Sequence, residues 1–452
     1  MVRGTVAWGR RCWQAPGCRE IVGRSRIDEE ALGQMNREPL IMVCTCEMAG
    51  RVRGKGFPAS DLASRMRTGV GWVPTNSMIN AFSQIPATPF GTSGDLILVP
   101  DPATEVKLDF GDGSANEHFF LGDIRQLDGT PWECCPRDFA RRALSALRET
   151  AGVTLLSAFE HEFVYTGVES APGEAYSLDA FRRQGRFAES FVAALRQAGA
   201  EPESFLPEYG ARQFEFTVKP AEGLRSADQA VVAREMARAT AHRLGHRAVF
   251  SPILSPAGVG NGVHVHFSFR DAYGASATHD PDDALGLSKT ARHFAAGLLR
   301  HMPALSALTA PAAVSYIRLR PNRWAPTNAD LKRQDRGAAI RICPVIPGPD
   351  VARQFNLEYR VADSAASPYL VLGALVWAGV DGIRRALEIP PAGPPLPATL
   401  GAALDALDAS APAREWLGPA FLGAYLMHKR GELAGLDGLD EQACCDRYAQ
   451  IY

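Results

Sequence analysis

Long hydrophobic runs are missing from this sequence. The longest, Tyr369 to Val380, is too short to cross a bilayer and reads as the start of a buried helix. No membrane span is therefore expected. Lysine is scarce as well, six of the 48 basic residues, so the many arginines reflect composition and signal function only where a motif places them. With 22% charged residues and a formal net charge of −2, no one-sided field predicts nucleic acid or an anionic membrane as partner. The nine cysteines are odd in number and lack disulfide-framework spacing, which suits a reducing cytosol. The pairs Cys44/Cys46, Cys134/Cys135 and Cys444/Cys445 lack the two-residue gap of a zinc knuckle and read as ordinary burial.

A chain of 452 residues with 46% hydrophobic residues has room for two or more domains with large cores. Residues 1–37 are Arg-rich without an apolar stretch, and read as a disordered extension or a start annotated upstream of Met35. Patterning begins with PLIMVCTC (39–46), a buried strand. Gly50 opens a turn into VRGKGFP, and a helix follows from about Asp61. DLILVPDPATEVKL (95–108) reads as two strands about a Pro/Asp turn, and 117–135 continues the β character. Residues 38–133 thus form a small β-rich domain, and 134–452 a larger one. In the latter, helices at 137–150, 178–199, 227–245, 287–302 and 368–388 alternate with strands at 153–165, 212–218 and 262–269. Ser226 and Gln229 have the spacing of a capping box. Pro-rich 390–397 connects to a small helical tail.

The chemistry emerges when strands are read by face. AFEHEFVY puts Glu160 and Glu162 on one side, with Phe159, His161 and Phe163 on the other. RQFEFTV sets Glu215 opposite Phe214 and Phe216, with Glu208 seven residues upstream. GNGVHVHFSF aligns His264, His266 and Ser268; NLEYRV aligns Glu358 and Arg360. A solvated face would mix Lys, Thr, Ser and Gln, whereas these carry mainly Glu, His and Arg. Gathered carboxylates repel unless a cation neutralises them, and carboxylates with an imidazole suit Mg²⁺ or Mn²⁺ better than zinc.

In order, EHEF, EYGARQFEF, GNGVHVHFSF, SYIRLRPNRWAP, DRGAAIRICP and LEYRVADSAASPYLVLGALVWAGVDGI resemble the glutamine synthetase family over residues 38–390. The resemblance implies an α+β protein: a β-grasp-like N-terminal domain and a catalytic domain with a curved antiparallel open-barrel sheet. It also implies a cytoplasmic enzyme assembled in rings, usually dodecamers of two hexamers, with active sites between subunits. By motif, Glu162, Glu208 and Glu215 would hold one divalent ion and Glu160, His264 and Glu358 another, in a site of two to three Mg²⁺ or Mn²⁺ ions. His266 and Ser268 would lie near ATP, Arg318 near the glutamate carboxylate, and Arg336, Arg341 and Arg360 around the transferring phosphate. The implied chemistry moves the ATP γ-phosphoryl group to the glutamate γ-carboxylate, and an amine then displaces phosphate.

Departures bear on the amine. Ammonia-using members carry a flap glutamate six residues after the arginine of their RLVPG motif, and that position is Trp324 here. Their N-terminal Asp-Gly-Ser stretch, whose aspartate helps hold ammonium, has no clear counterpart in INAFSQIPATPFGTSGD. Ile253, Asp335 and Arg212 also depart from the usual lysine, asparagine and glycine, and no tyrosine context resembles the adenylylation loop. An indole in place of an anion suits an organic amine. The sequence thus looks closest to the γ-glutamylamide-forming branch, with an ammonia-using synthetase or a non-catalytic member as alternatives.

Overall fold

The computed structural model of the protein describes residues 37–452; the expected extension over 1–37 lies almost wholly outside them. The strands gather into two sheets. The first contains β1 (Leu40–Cys46), β2 (Val52–Pro58), β3 (Val70–Trp72), β4 (Leu96–Pro100), β5 (Val106–Leu108) and β6 (Glu117–Arg125), in the order β2-β1-β6-β4-β3 with β5 beside β6. All its pairings are antiparallel except β1 with β6. β2 occupies VRGKGFP, which follows the turn expected at Gly50: glycine-rich and half exposed, it forms a strand by pairing with β1 along its whole length.

The second sheet has nine strands: β7 (Thr154–Tyr165), β8 (Pro202–Pro207), β9 (Gln213–Val218), β10 (Ala221–Glu222), β11 (Ala248–Val249), β12 (Val263–Arg270), β13 (Leu331–Arg333), β14 (Ile340–Ile342) and β15 (Leu357–Tyr359). The order is β13-β14-β15-β12-β7-β9-β8, and only β13 pairs parallel, with β14. It is the nearly closed, barrel-like sheet of an α+β protein. The expected division near residue 133 falls between the strands of the two sheets, although Leu40–Tyr452 form one compact unit. Arg137, at the head of helix Pro136–Ala151, shows why. Buried at 2% exposure, it reaches Asp101 and Asp123 of the first sheet's segment at 2.8 and 2.9 Å and Asp228 of helix Leu224–Arg243 at 2.9 Å.

Three helix expectations change. The helix expected at 178–199 is two, Leu178–Arg183 and Arg186–Gln197, because Gly185 between them has φ 62°, ψ −128°. Ser226 does not cap the next helix. Gly223 donates its N–H to Leu155 O at 2.8 Å beside the β10–β7 pairing, so the helix starts at Leu224. Ser226 Oγ instead accepts from Ser157 and donates to Gly223 O. The helix expected at 287–302 spans Lys289–Thr309, running through Pro303. Beyond 397 the tail is four helices, ending with Glu441–Ala449. Among the described residues no helix is long and apolar enough to cross a membrane. Cys44, Cys46, Cys134, Cys135 and Cys445 are buried, Cys444 partly so, and burial pushes the Cys44 and Cys134 thiols up to about 12.

Candidate active site

Register assembles the site. β7 alternates half-buried and buried residues over most of its length, sending Glu160 and Glu162 to one face while Phe159, His161 and Phe163 enter the core. In antiparallel sheets, residues directly opposite share a face. On that rule β12 sets His264 against Glu160, β9 sets Glu215 against Glu162, β15 sets Glu358 against His266, and β14 sets Arg341 against Glu358. The four polar faces read from the sequence are therefore one surface.

His264 Nδ1 stands 2.7 Å from Glu160 and 3.4 Å from Glu358, while His266 Nε2 stands 3.5 and 3.9 Å from the same carboxylates. Glu160, His266 and Glu358 each bring a donor atom within 4.8 Å of the others, a grouping able to hold a cation. Sequence reasoning chose His264 for this role and put His266 at the nucleotide; in the fold both imidazoles face the two carboxylates. Asn356, which sequence reasoning passed over, meets His266 Nδ1 with Oδ1 at 3.0 Å while its Nδ2 donates to Gln354 O at 2.9 Å. Glu358 is buried and holds Arg341 at 2.9 Å and Arg360.

Glu160, His264, Glu358, Arg341 and Arg360 line a cavity of about 940 Å³. Of the expected site residues, Glu160, Glu162, Glu208, Glu215, His264, Glu358, Arg318, Trp324, Arg336, Arg341 and Arg360 border it, but His266 and Ser268 do not. Ser268 sits farther along β12, opposite Leu156. Glu162 accepts the Gly262 N–H at 2.7 Å. Arg318, 4% exposed, donates to Val361 O and Ala362 O and lies 3.7 Å from Asp363. It passes so close to Gly260 that a Cβ there would meet Arg318 Cγ at 2.4 Å, so GNG in that motif makes room for an arginine. The exposed Arg336 and Trp324 reach the cavity from loops.

The cavity's electrostatics fit a divalent cation and an anion. Burial, then Glu160, Glu162 and Glu208, push the Glu215 carboxyl up to about 10. Burial likewise raises Glu162. Burial disfavours the Glu160 carboxylate, yet hydrogen bonds from His264 and His266 hold it well below its usual range. Carboxylates crowded in this way are a donor set for a divalent cation. The same cavity is bordered by the guanidinium groups of Arg318, Arg341 and Arg360, which suit an anionic group.

Sequence reasoning missed several lining residues. Tyr176 donates its hydroxyl to Glu208 at 2.9 Å from a loop with no periodic signal. Tyr209 lies against Trp324, and its place beside Glu208 in EYGARQFEF was a usable signal. Arg323 folds away to Gly258 O at 2.9 Å.

This fold and face define a class of ATP-dependent carbon–nitrogen ligases that work with divalent cations. The chain belongs to the glutamine synthetase family: the family's catalytic-domain model matches residues 133–448 and its N-terminal-domain model residues 25–132. Among its relatives is the γ-glutamylpolyamine synthetase GlnA3 of Streptomyces coelicolor, 32% identical over 91% of this chain and 93% of that protein. The glutamine synthetase of Thermotoga maritima is 33% identical over 66% of this chain and 68% of its own. A solved structure described as a novel glutamine synthase homolog superposes with TM-score 0.89 at 40% identity, covering 93% of this chain and all of that one. Ligand-free GmaS superposes at 0.76 with 26% identity, covering 89% and 95%.

Proposed function

We propose that this protein activates the γ-carboxylate of glutamate as γ-glutamyl phosphate and couples it to an organic amine, giving a γ-glutamylamide, ADP and phosphate. The observation that carries this reading is Trp324 on the cavity wall, at the position where the family resemblance expects the carboxylate that serves ammonium. An indole in place of that carboxylate offers apolar area and a π face, better suited to an organic amine's carbon skeleton or its cationic head.

In this reading Glu162, Glu208 and Glu215 hold one divalent cation and Glu160, His264 and Glu358 a second. Bound there, the cations would neutralise charge on the ATP phosphates. His266 and Ser268 lie towards the nucleotide, and Arg318 grips the glutamate carboxylate. Arg336, Arg341 and Arg360 stabilise charge on the phosphoryl oxygens during transfer and on phosphate as it departs, the main source of catalysis in phosphoryl transfer. Glu358 anchors Arg341 with one carboxylate oxygen and Arg360 with the other. We take the working form to be a cytoplasmic dodecamer of two hexameric rings.

The test is phosphate release by the purified protein with ATP, Mg²⁺ and glutamate across ammonia, ethanolamine, putrescine, isopropylamine and aniline. A strong response to an organic amine with little to ammonia supports the reading. Efficient turnover at low ammonia would make the protein an ammonia-using synthetase, and silence across the panel would point to a non-catalytic member or to an acid other than glutamate.

A further inference from the structure

One wall of the cavity is aromatic. The rings of Tyr209 and Trp324 lie with centroids 5.6 Å apart at 43°, and their residues are 56% and 66% exposed. Two large rings left side by side in water on a cavity wall are a surface built for a partner. The backbone is shaped to put them there. Asn322 and Trp324 have φ of 63° and 51°, left-handed conformations that side-chain-bearing residues adopt at a cost. Arg323, between them, is drawn off to the carbonyls of Pro256 and Gly258, leaving the indole unobstructed. On the other side, the Tyr209 N–H donates to Glu208 Oε2 at 2.9 Å, so the wall begins one residue from the cluster of carboxylates.

The charge along this wall is informative. Cavity-lining residues 257–260 and 321–325 include no carboxylate and one guanidinium, Arg323. Glu208, next to Tyr209 in the chain, already accepts from Tyr176 and Tyr209 and serves a cation in the reading above. The second ammonium of a diamine would find no free counter-charge here and would approach a guanidinium, whereas an apolar body would cover both rings.

We propose that Tyr209 and Trp324 together form the amine subsite, and that they select a monoamine with an apolar body, an aromatic one best, over ammonia and over diamines or polyamines. This rests on the glutamate–amine ligase reading. Tyr209 is the specificity-determining residue it adds, and replacing its side chain leaves its backbone bond to Glu208 in place.

The experiment measures KM and kcat by phosphate release with saturating ATP, Mg²⁺ and glutamate, using aniline, isopropylamine, putrescine and ammonia, for the wild type, Tyr209→Ala, Tyr209→Phe, Trp324→Ala and the double alanine variant. Wild type should show higher kcat/KM for aniline and isopropylamine than for putrescine. Each single alanine variant should raise KM for the preferred monoamine about 3- to 10-fold, as expected for losing one ring of a pair. The double variant should lose less than the product of the two, because the rings touch, and Tyr209→Phe should stay near wild type. KM for ATP and glutamate should not follow. Preference for putrescine, or a monoamine KM that Tyr209→Ala leaves unchanged while Trp324→Ala raises it, overturns the subsite. Response to ammonia alone overturns the ligase reading itself and the subsite with it.

Discussion

Replacing Glu358 by glutamine removes one negative charge from a buried cluster while leaving side-chain volume nearly unchanged. In the native protein this carboxylate, 1% exposed, faces Arg341 at 2.9 Å, Arg360, and His264 at 3.4 Å. Both guanidiniums are themselves buried. Glutamine can still accept hydrogen bonds, but it cannot balance two buried positive charges, and removing one partner of such a pair costs about 3–5 kcal/mol. At about 2 °C or somewhat less per kcal/mol in a large chain, Tm should fall by roughly 5–10 °C. Activity should fall further, by about 100- to 1000-fold or more, because the proposed second cation loses a ligand and the arginines lose their shared anchor. The assay pairs a thermal melt with phosphate release at a temperature well below the lowered Tm, so that unfolding and lost chemistry are separated. Full activity in Glu358→Gln would refute the assignment of Glu358 to the reacting centre. An unchanged Tm would refute the argument that it neutralises Arg341 and Arg360.

Trp324→Glu should shift preference towards ammonia, raising the ammonia-to-organic-amine ratio of kcat/KM roughly fivefold, the worth of one ion contact in a solvated site; an unchanged ratio counts against the aromatic-wall argument. Arg137→Met should cost about 3–5 kcal/mol by leaving Asp101, Asp123 and Asp228 without their shared cation, read as a lower denaturant midpoint with the amine preference retained. Burial pushes the Glu47 carboxyl up to about 8, with Arg53 only partly offsetting it. Between its ordinary value of 4.5 and 8 the folded protein therefore holds a proton that the unfolded chain has lost, and its contribution to stability falls as pH rises through that window. Glu47→Gln should remove this slope, so its Tm relative to wild type should climb from pH 5 to pH 8.5; a constant difference would show that Glu47 is ionised throughout.

What the sequence by itself determined was local. A period of two put Glu160 and Glu162, His264 and His266, and Glu358 and Arg360 on single faces, because alternation is a property of one extended strand. The ordered motifs then named the family, and eleven of the thirteen expected site residues border one cavity. Only the tertiary structure decided which strand lies beside which, since pairing joins residues far apart in the chain, 104 apart for His264 and Glu160 and 92 apart for Glu358 and His266. It also moved a helix start from Ala227 to Leu224 and its cap from Ser226 to Gly223, where a strand contact outweighed the capping pattern. The sequence singled out Trp324 but not its pairing with Tyr209, which stands on a separate loop; the two rings meet where Asn322 and Trp324 adopt left-handed conformations and Arg323 is held aside by carbonyls. Side-chain period is written residue by residue, whereas register and loop path are settled by contacts that exist only once the chain has folded.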